Sequence, residues 1–224
     1  SYLQGVFENK GDDWEEKTLG EVVDFFNGFA FKSKDAIEIS NTQLIRMGNL
    51  YQNQLNLERR AVFYPDDFAV SHKKYLLKEN DLIISLTGTT DKEDYGYTVR
   101  IPENEFNLLL NQRIAKISIK NEKATNKDYL FHFLLSRTFL DKLYKTANGT
   151  RQANLSTETM KGLSISIPNF KAQQNIVQKL DALSTETKKL EAIYQQKIND
   201  LEELKKSVLQ KAFSGELKTA KVLV

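Results

Sequence analysis

Residues 176–208, IVQKLDALSTETKKLEAIYQQKINDLEELKKSV, decide the fold of the last third of this 224-residue chain. Seam positions recur there with alternating spacings of four and three residues, a pattern typical of a coiled coil. The positions on this register are Ile176, Leu180, Leu183, Thr187, Leu190, Tyr194, Lys197, Leu201, Leu204 and Val208. The pattern predicts one long helix over 169–213, roughly 60 Å long. Because a lone helix would leave this stripe in water, we expect it to pair with another helix.

The first seven residues, SYLQGVF, resemble residues 207–213, SVLQKAF, at the end of the same helix. Ser, Leu, Gln and Phe match in place, which indicates either an internal duplication or a chance match in a short window. On the first interpretation, residues 1–10 are the remnant of a preceding helix of the same kind. The rest divides into a globular domain over 11–168, the long helix over 169–213 and a tail over 214–224.

The composition excludes several kinds of site. The chain has no cysteine, which excludes disulfides and thiolate metal sites and suits a reducing compartment. No apolar run is long enough to cross a bilayer and no signal peptide is recognisable, so we expect a cytoplasmic protein with no membrane partner. The net charge is +2, but residues 1–24 hold seven acids and two lysines, so the remainder carries +7. This basic body fits a nucleic-acid partner and equally an ordinary solvated surface.

Residues 11–168 mix helix and strand signals without a regular βαβ alternation, so we predict an α+β fold. A capping-box pattern from Thr18 to Glu21 predicts a short helix that continues through Phe26 and stops at Asn27-Gly28. A helical period covers 128–144. Alternating or apolar runs predict strands at 44–47, 61–63, 81–86, 99–101, 113–120 and 163–167.

Three polar loops are candidate binding sites. The first, over 85–98, is rich in hydroxyls and lacks the Walker pattern of a nucleotide-hydrolysing loop. The second, over 147–156, carries side chains that bond bidentately to base edges. The third joins 27–34 with 71–75 and interleaves lysines with aromatic residues, as phosphate contact and stacking require. The candidate DNA contacts are Thr87, Thr89, Thr90, Lys92, Tyr95, Tyr97, Asn148, Thr150, Arg151 and Gln152, with Lys32, Lys34, Lys73 and Lys74 on phosphates.

Each loop also has a purely structural interpretation. The first is equally a hydroxyl-rich hairpin, the second caps the helical turn that begins at Ser156, and the lysines of the third are simply solvated. No methyltransferase pattern [DN]-P-P-[YF] occurs, because none of the three prolines follows Asp or Asn. The two histidines stand apart from other metal ligands. We therefore expect no catalytic residue, metal or cofactor in this chain.

Four motifs resemble the specificity subunit of type I restriction-modification systems in content and order. They are Trp14-Glu15-Glu16-Lys17-Thr18-Leu19-Gly20-Glu21, Ile45-Arg46-Met47-Gly48-Asn49-Leu50, Leu110-Asn111-Gln112-Arg113-Ile114-Ala115, and Asn154-Leu155-Ser156 through Ile165-Ser166-Ile167-Pro168 to Gln173-Gln174-Asn175-Ile176-Val177. In that family two target-recognition domains alternate with two long helices, and the chain matches one of each. The chain departs from the family at two positions: it has Asn169 where the family often has Pro, and Ala172 where the family often has Glu.

The resemblance implies that the globular domain reads one half of a split double-stranded DNA site and that the long helix pairs antiparallel as a spacer. The partner helix would belong to a second copy or to the other half of the subunit. The residues expected to pair are Ile176, Leu180, Leu183, Leu190, Tyr194, Leu201, Leu204 and Val208. The resemblance also implies that modification and restriction subunits bind, with S-adenosylmethionine on the modification subunit. The rival hypothesis is a coiled-coil scaffold whose globular domain binds protein.

Overall fold

The computed structural model describes residues 2–11, 13–89, 92–146 and 152–216. It divides into two compact units, Ser1–Val177 and Gln178–Val224. Within the described ranges, the first unit holds all of the strands and six short helices, as the α+β prediction requires. Its helices are α1 Tyr2–Glu8, α2 Leu19–Val22, α3 Asp67–Ser71, α4 Lys127–Leu135, α5 Arg137–Tyr144 and α6 Thr157–Lys161. The last helix, α7 Phe170–Phe213, begins in the first unit and supplies most of the second.

Twelve strands are described, and most are short. They are β1 Glu15–Thr18, β2 Val23–Asn27, β3 Thr42–Ile45, β4 Phe63–Tyr64, β5 Leu76–Leu77, β6 Leu82–Ser85, β7 Thr87–Thr89, β8 Thr98–Arg100, β9 Asn107–Leu110, β10 Ile114–Ile119, β11 Gln152–Asn154 and β12 Ser164–Ile167. One four-stranded sheet has the order β2-β10-β6-β8 and another the order β4-β3-β9-β5, while β1-β12 and β7-β11 form two-stranded ribbons.

The pairing of β3 with β9 is parallel, with Ile45 beside Leu110. All other named strand pairs in the described residues are antiparallel. Because parallel strands end at the same edge of a sheet, the residues that follow β3 and β9 lie side by side. This edge positions the candidate site.

The main core joins α4, α5 and the sheet that contains β10. Tyr129 and Phe139 are fully buried there, and Tyr129 donates its hydroxyl hydrogen bond to the main-chain oxygen of Ser166 at 2.7 Å. Phe7 of α1 packs against this core, with ring centroids 5.5 Å from those of Tyr129 and Phe133. The first ten residues therefore contribute to the globular unit. Their origin as a remnant of another helix stays a prediction.

The first turn of α7 is built into the same unit. Gln173 is fully buried, and its side chain accepts a hydrogen bond from Asn126 N at 2.7 Å. The same amide donates to the main-chain oxygens of Ala124 at 2.9 Å and Pro168 at 2.8 Å. Ile176 packs against the main core. The start of the long helix is therefore part of the globular unit.

Two of the predicted helices differ from the structure. The capping box is present, but α2 ends at Val22, and the next five residues form β2. Their β-branched and aromatic side chains suit a strand, and β10 supplies its hydrogen-bonding partner. The helix predicted over 128–144 is interrupted at Ser136, whose hydroxyl accepts a hydrogen bond from Phe139 N and caps α5.

In the second unit, α7 carries an exposed apolar stripe. Six seam residues have exposed fractions between 43% and 64%: Leu183, Leu190, Tyr194, Leu201, Leu204 and Val208. Ile193 and Ile198 flank the seam and are each 51% exposed, which makes the stripe wider than a simple two-residue seam. Leu180 is buried. No helix among the described residues is long and apolar enough to span a membrane.

Candidate nucleic-acid interface

Two of the three polar loops are joined by the β7-β11 ribbon. Thr89 of the first loop lies opposite Gln152 of the second, and Thr87 lies opposite Asn154. The N–H of Leu155 donates to the main-chain oxygen of Leu86 at 2.8 Å and continues this connection toward the core. The hydrogen bonds between paired strands join main-chain N–H and C=O groups. The connection between the two loops therefore does not depend on the identity of their side chains. Two separate stretches of sequence thus form one surface feature.

Two acidic residues that follow β7 make defined contacts with the fold. Asp94 accepts hydrogen bonds from the N–H of Thr89 at 2.5 Å and from its hydroxyl at 2.9 Å. Glu93, with a left-handed φ of 49°, accepts a hydrogen bond from Arg137 at 3.0 Å. Tyr144 donates to the main-chain oxygen of Glu93 at 3.2 Å. Burial raises the pKa of Tyr144 to about 12, so its hydroxyl keeps its proton at neutral pH.

The predicted contact residues of the first loop differ in exposure. Thr89 and Lys92 are exposed, as a DNA contact requires. Thr87 is buried, and its hydroxyl lies 3.1 Å from the sulfur of Met47. Thr87 therefore joins the ribbon to the segment that follows β3.

The two tyrosines of this loop serve the fold. Tyr95 is only 5% exposed and packs edge-on against Tyr144, with ring centroids 5.0 Å apart. Since this burial hides its ring, we leave Tyr95 out of the proposed interface. Tyr97 is partly buried and packs against Tyr51 at 6.0 Å. Burial also raises the pKa of the Tyr97 hydroxyl.

Thr90, Asn148, Thr150 and Arg151 lie outside the described residues, and Gln152 is described only through its main chain. Their proposed roles rest on the chemistry of their side chains and on the ribbon that carries the two loops.

The two segments of the third loop meet through their aromatic rings. The ring of His72 lies 5.1 Å from both Phe29 and Phe31, and Tyr75 lies 5.2 Å from Phe29. Gly28 brings this loop directly over the turn after β9, since an added Cβ would lie 2.2 Å from the main-chain oxygen of Asn111. The four lysines predicted to hold phosphates are all exposed: Lys32, Lys34, Lys73 and Lys74.

A basic groove of about 460 Å³, here called the arginine groove, lies where β3 and β9 end side by side. Arg46 follows β3, and the turn 111–113 follows β9. The lining residues are Phe31, Ser33, Arg46, Met47, Gly48, Asn49, Arg59, Arg60, Asn111, Gln112 and Arg113. No acidic side chain is among them. The groove adjoins the ribbon, because the N–H of Leu86 donates to the main-chain oxygen of Arg113 at 2.9 Å.

A buried amide holds Arg59 and Arg60 at this groove. Asn49 is 1% exposed and donates hydrogen bonds to the main-chain oxygens of Asn56 at 2.9 Å and Arg59 at 3.0 Å. Its side-chain oxygen accepts from the N–H of Arg46 at 2.9 Å. One guanidinium nitrogen of Arg46 then donates to the main-chain oxygen of Arg60 at 2.6 Å. The loop from 56 to 60 is therefore positioned from the end of β3.

The described arginines separate into two classes. Arg100 pairs with Asp128, and Arg137 pairs with Glu93 and Asp141. The other four described arginines are those of the groove, and in the described ranges none of them has a carboxylate oxygen within 4.0 Å. Arg59 instead lies over the ring of Tyr51 at 4.4 Å. The groove thus brings together four guanidinium groups that form no ion pair with the described residues.

Analysis of the sequence missed this groove as a site. Arg46 and Arg113 stand in two of the family-like motifs, and Arg59-Arg60 is a basic pair, but Arg113 is more than fifty residues from the other three. The parallel pairing of β3 with β9 brings Arg113 beside Arg46, and Asn49 holds the loop of Arg59 and Arg60 there. Across the described residues, no group of three or more His, Cys, Asp or Glu is arranged to hold a metal ion.

Comparison with known proteins agrees with the motifs. The family model for the type I restriction modification DNA specificity domain matches residues 11–203. The MjaVIII specificity subunit of Methanocaldococcus jannaschii is 25% identical, with 97% of this chain and 52% of the relative covered. The EcoAI specificity subunit of Escherichia coli is 28% identical, and the match covers 81% of this chain and 30% of the relative. This chain therefore spans about half the length of the MjaVIII subunit and about a third of the length of the EcoAI subunit.

Solved structures show the same fold. The HsdS subunit from Thermoanaerobacter tengcongensis has a TM-score of 0.61 at 17% identity, covering 96% of this chain and 49% of that chain. A chain from a study of complex assembly and conformational transition of the type I R-M system has a TM-score of 0.68 at 17% identity. The match covers 93% of this chain and 48% of that chain. With a family model that matches 11–203, the chain belongs to the type I restriction modification DNA specificity domain family.

Proposed function

We propose that this chain is a sequence-recognition unit of a type I restriction-modification enzyme that reads one half of a bipartite double-stranded DNA site. The observation that carries the proposal is the two-loop ribbon beside a groove of four arginines that have no described acidic partner. The names of the curated relatives, which are specificity subunits, support it. The chain itself does no chemistry on DNA and needs no cofactor.

The β7-β11 ribbon is the element suited to base reading. The major groove of B-DNA is about 12 Å wide and admits a two-stranded ribbon. Thr89 and Lys92 lie on the described part of this feature, and Thr90, Asn148, Thr150, Arg151 and Gln152 complete it in sequence. Asn and Gln side chains bond bidentately to adenine, and Arg bonds to guanine. The four exposed lysines of the third loop hold phosphates and fix the orientation of the domain.

The exposed stripe of α7 pairs antiparallel with an equivalent helix, which brings a second recognition unit into the assembly. The partner helix belongs to a second copy of this chain or to the other half of a longer subunit. A symmetric pair of identical units would read a spaced palindrome. Modification and restriction subunits then bind in the cytoplasm, and the modification subunit flips the target adenine and supplies S-adenosylmethionine.

Co-expression with candidate modification subunits tests the proposal. Mapping of methylated adenines across the genome should reveal a bipartite motif that is absent when this chain is left out. A palindromic motif supports a homodimer, and an asymmetric one supports pairing with a different half. If no motif appears, and the purified complex also shows no salt-dependent binding of DNA, the scaffold hypothesis replaces this proposal, since phosphate contacts make affinity fall with ionic strength.

A further inference from the structure

We propose that the arginine groove is a cradle for the sugar–phosphate backbone of DNA, which fixes the position of the domain without reading sequence. The inference rests on the proposed function and assigns its two surface features to different parts of the duplex. The ribbon reads bases, and the groove holds phosphates. The four arginines of the groove are then the main electrostatic contact with the DNA backbone.

The charge of the groove favours a polyanion. Its lining brings together four of the seven arginines in the chain and contains no Asp or Glu. Like charges that are held close together repel one another, and this repulsion is relieved when a negatively charged ligand binds. The guanidinium group presents a planar set of donors that matches phosphate oxygens. The uncharged lining residues Ser33, Asn111 and Gln112 add further donors.

The shape of the groove separates phosphate binding from base reading. A side chain reads bases only by projecting into the major groove, which is itself concave. A concave protein surface instead complements a convex ridge, and the ridge of a duplex is its phosphate backbone. The groove lies at the edge where β3 and β9 end side by side, whereas the ribbon supplies the two-stranded element that fits the major groove. The two features therefore contact different parts of the duplex.

The groove is also held in place from within the fold. Gln43 is buried and donates to the main-chain oxygen of Leu57 at 2.5 Å, which adds a second anchor to the loop already held by Asn49. Arg60 has a left-handed φ of 51° and is bonded through its main-chain oxygen to Arg46. A site whose main chain is fixed before binding loses less entropy on binding. This arrangement suits a contact that recurs with every DNA molecule.

Salt dependence of DNA binding tests the cradle directly. The full chain is titrated by fluorescence anisotropy with a mixed-sequence duplex and with a duplex that carries the mapped site, between about 50 and 200 mM salt. We expect Arg113→Ala and Arg59→Ala each to weaken binding of both duplexes by about tenfold. Each should also reduce the slope of log affinity against log salt by about 0.9. The ratio of the two affinities should not change.

Lys78→Ala is the matched control. It also removes one exposed positive charge, but Lys78 follows β5, whose pairing with β9 places it beside Asn107 at the opposite edge of the same sheet. This variant should retain the affinity and the slope of the wild type. Arg113→Lys should restore most of the binding if a phosphate is the ligand, because a lysine retains the charge and loses only the bidentate geometry.

The outcomes separate the two proposals. If the wild type binds neither duplex in a salt-dependent way, the proposed function fails. If the wild type binds and the arginine variants behave like Lys78→Ala, only the cradle fails. Loss of binding to the cognate duplex alone would assign the arginines to base reading and overturn the inference.

Discussion

At the scale of single residues, the interface depends on how closely the main chains approach one another. At Gly28 the third loop crosses the turn after β9, and an added Cβ would lie 2.2 Å from the main-chain oxygen of Asn111 and 2.4 Å from that of Leu110. The N–H of Phe29 donates to Leu110 at 3.0 Å, and the N–H of Gln112 donates back to Phe29 at 3.0 Å. Only glycine allows these bonds to form at that distance.

Gly28→Ala should therefore destabilise the fold by about 3 kcal/mol, because main-chain atoms rather than a flexible side chain must move. Gly48→Ala is the control, since an added Cβ there meets nothing within 4 Å. It should change the free energy of unfolding by less than about 0.5 kcal/mol. Urea unfolding followed by circular dichroism measures both variants. Equal stability of the two variants would show that the loop does not pack as described.

Arg151→Ala tests base reading by the second loop. We expect it to weaken binding of the cognate half-site by about 1 to 3 kcal/mol and to affect mixed-sequence DNA much less. The reason is that a bidentate contact to guanine is lost only where the correct base is present. Anisotropy titrations with both duplexes give the two affinities. An equal loss on both would remove Arg151 from base reading and place it among the phosphate contacts.

At the scale of elements, the sequence predicted those whose signal is local and periodic. The heptad pattern predicted α7, and alternation predicted β10 and β12. The short strands β7 and β11 were missed because Thr87-Gly88-Thr89 has no strand pattern of its own and is a strand only through its partner. The groove was missed for the same reason, since Arg46 and Arg113 become neighbours only through the parallel pairing of β3 with β9.

Glu21→Gln tests the capping box of α2. The Glu21 carboxyl accepts a hydrogen bond from the N–H of Thr18 at 2.6 Å and another from the Thr18 hydroxyl at 2.8 Å. Both bonds lower the pKa of this carboxyl, and the main-chain bond has the larger effect. A pKa that is lower in the folded state means that the ionised carboxylate stabilises the fold above its unfolded pKa. This contribution is lost as the pH falls through the folded pKa.

The stability advantage of the wild type over Glu21→Gln should therefore be present at pH 7 and should shrink as the pH falls from about 5 to 3. Urea midpoints measured across this range check the prediction. Thr18→Ala retains the main-chain bond and should lie between the wild type and Glu21→Gln. Parallel curves for all three proteins would show that the carboxylate makes no contribution to stability.

At the scale of the whole molecule, the second unit presents an apolar surface without a partner among the described residues. The stripe includes the seam residues Leu190, Leu201 and Leu204 and the flanking residues Ile193 and Ile198. Exposed apolar surface of this extent marks an interaction surface. The flanking isoleucines widen the apolar surface that is available to a second helix.

Leu201→Asp should abolish self-association of the purified chain, because a carboxylate at a seam position would be buried without a partner. Asn199→Asp introduces the same residue two positions away, off the seam, and should leave association unchanged. Sedimentation equilibrium distinguishes monomer from dimer for both variants. If Leu201→Asp remains a dimer, the helices do not pair through this stripe.

The construction of the β7-β11 ribbon has a consequence for how target sequences evolve. Its two strands come from separate stretches of the chain and are joined by main-chain bonds, so an exposed position such as Thr89 accepts a new side chain without loss of the pairing. A single recombination event between residues 98 and 147 would exchange one half of the reading surface and retain the other. New DNA specificities are therefore accessible by combining existing halves, before any point mutation refines them.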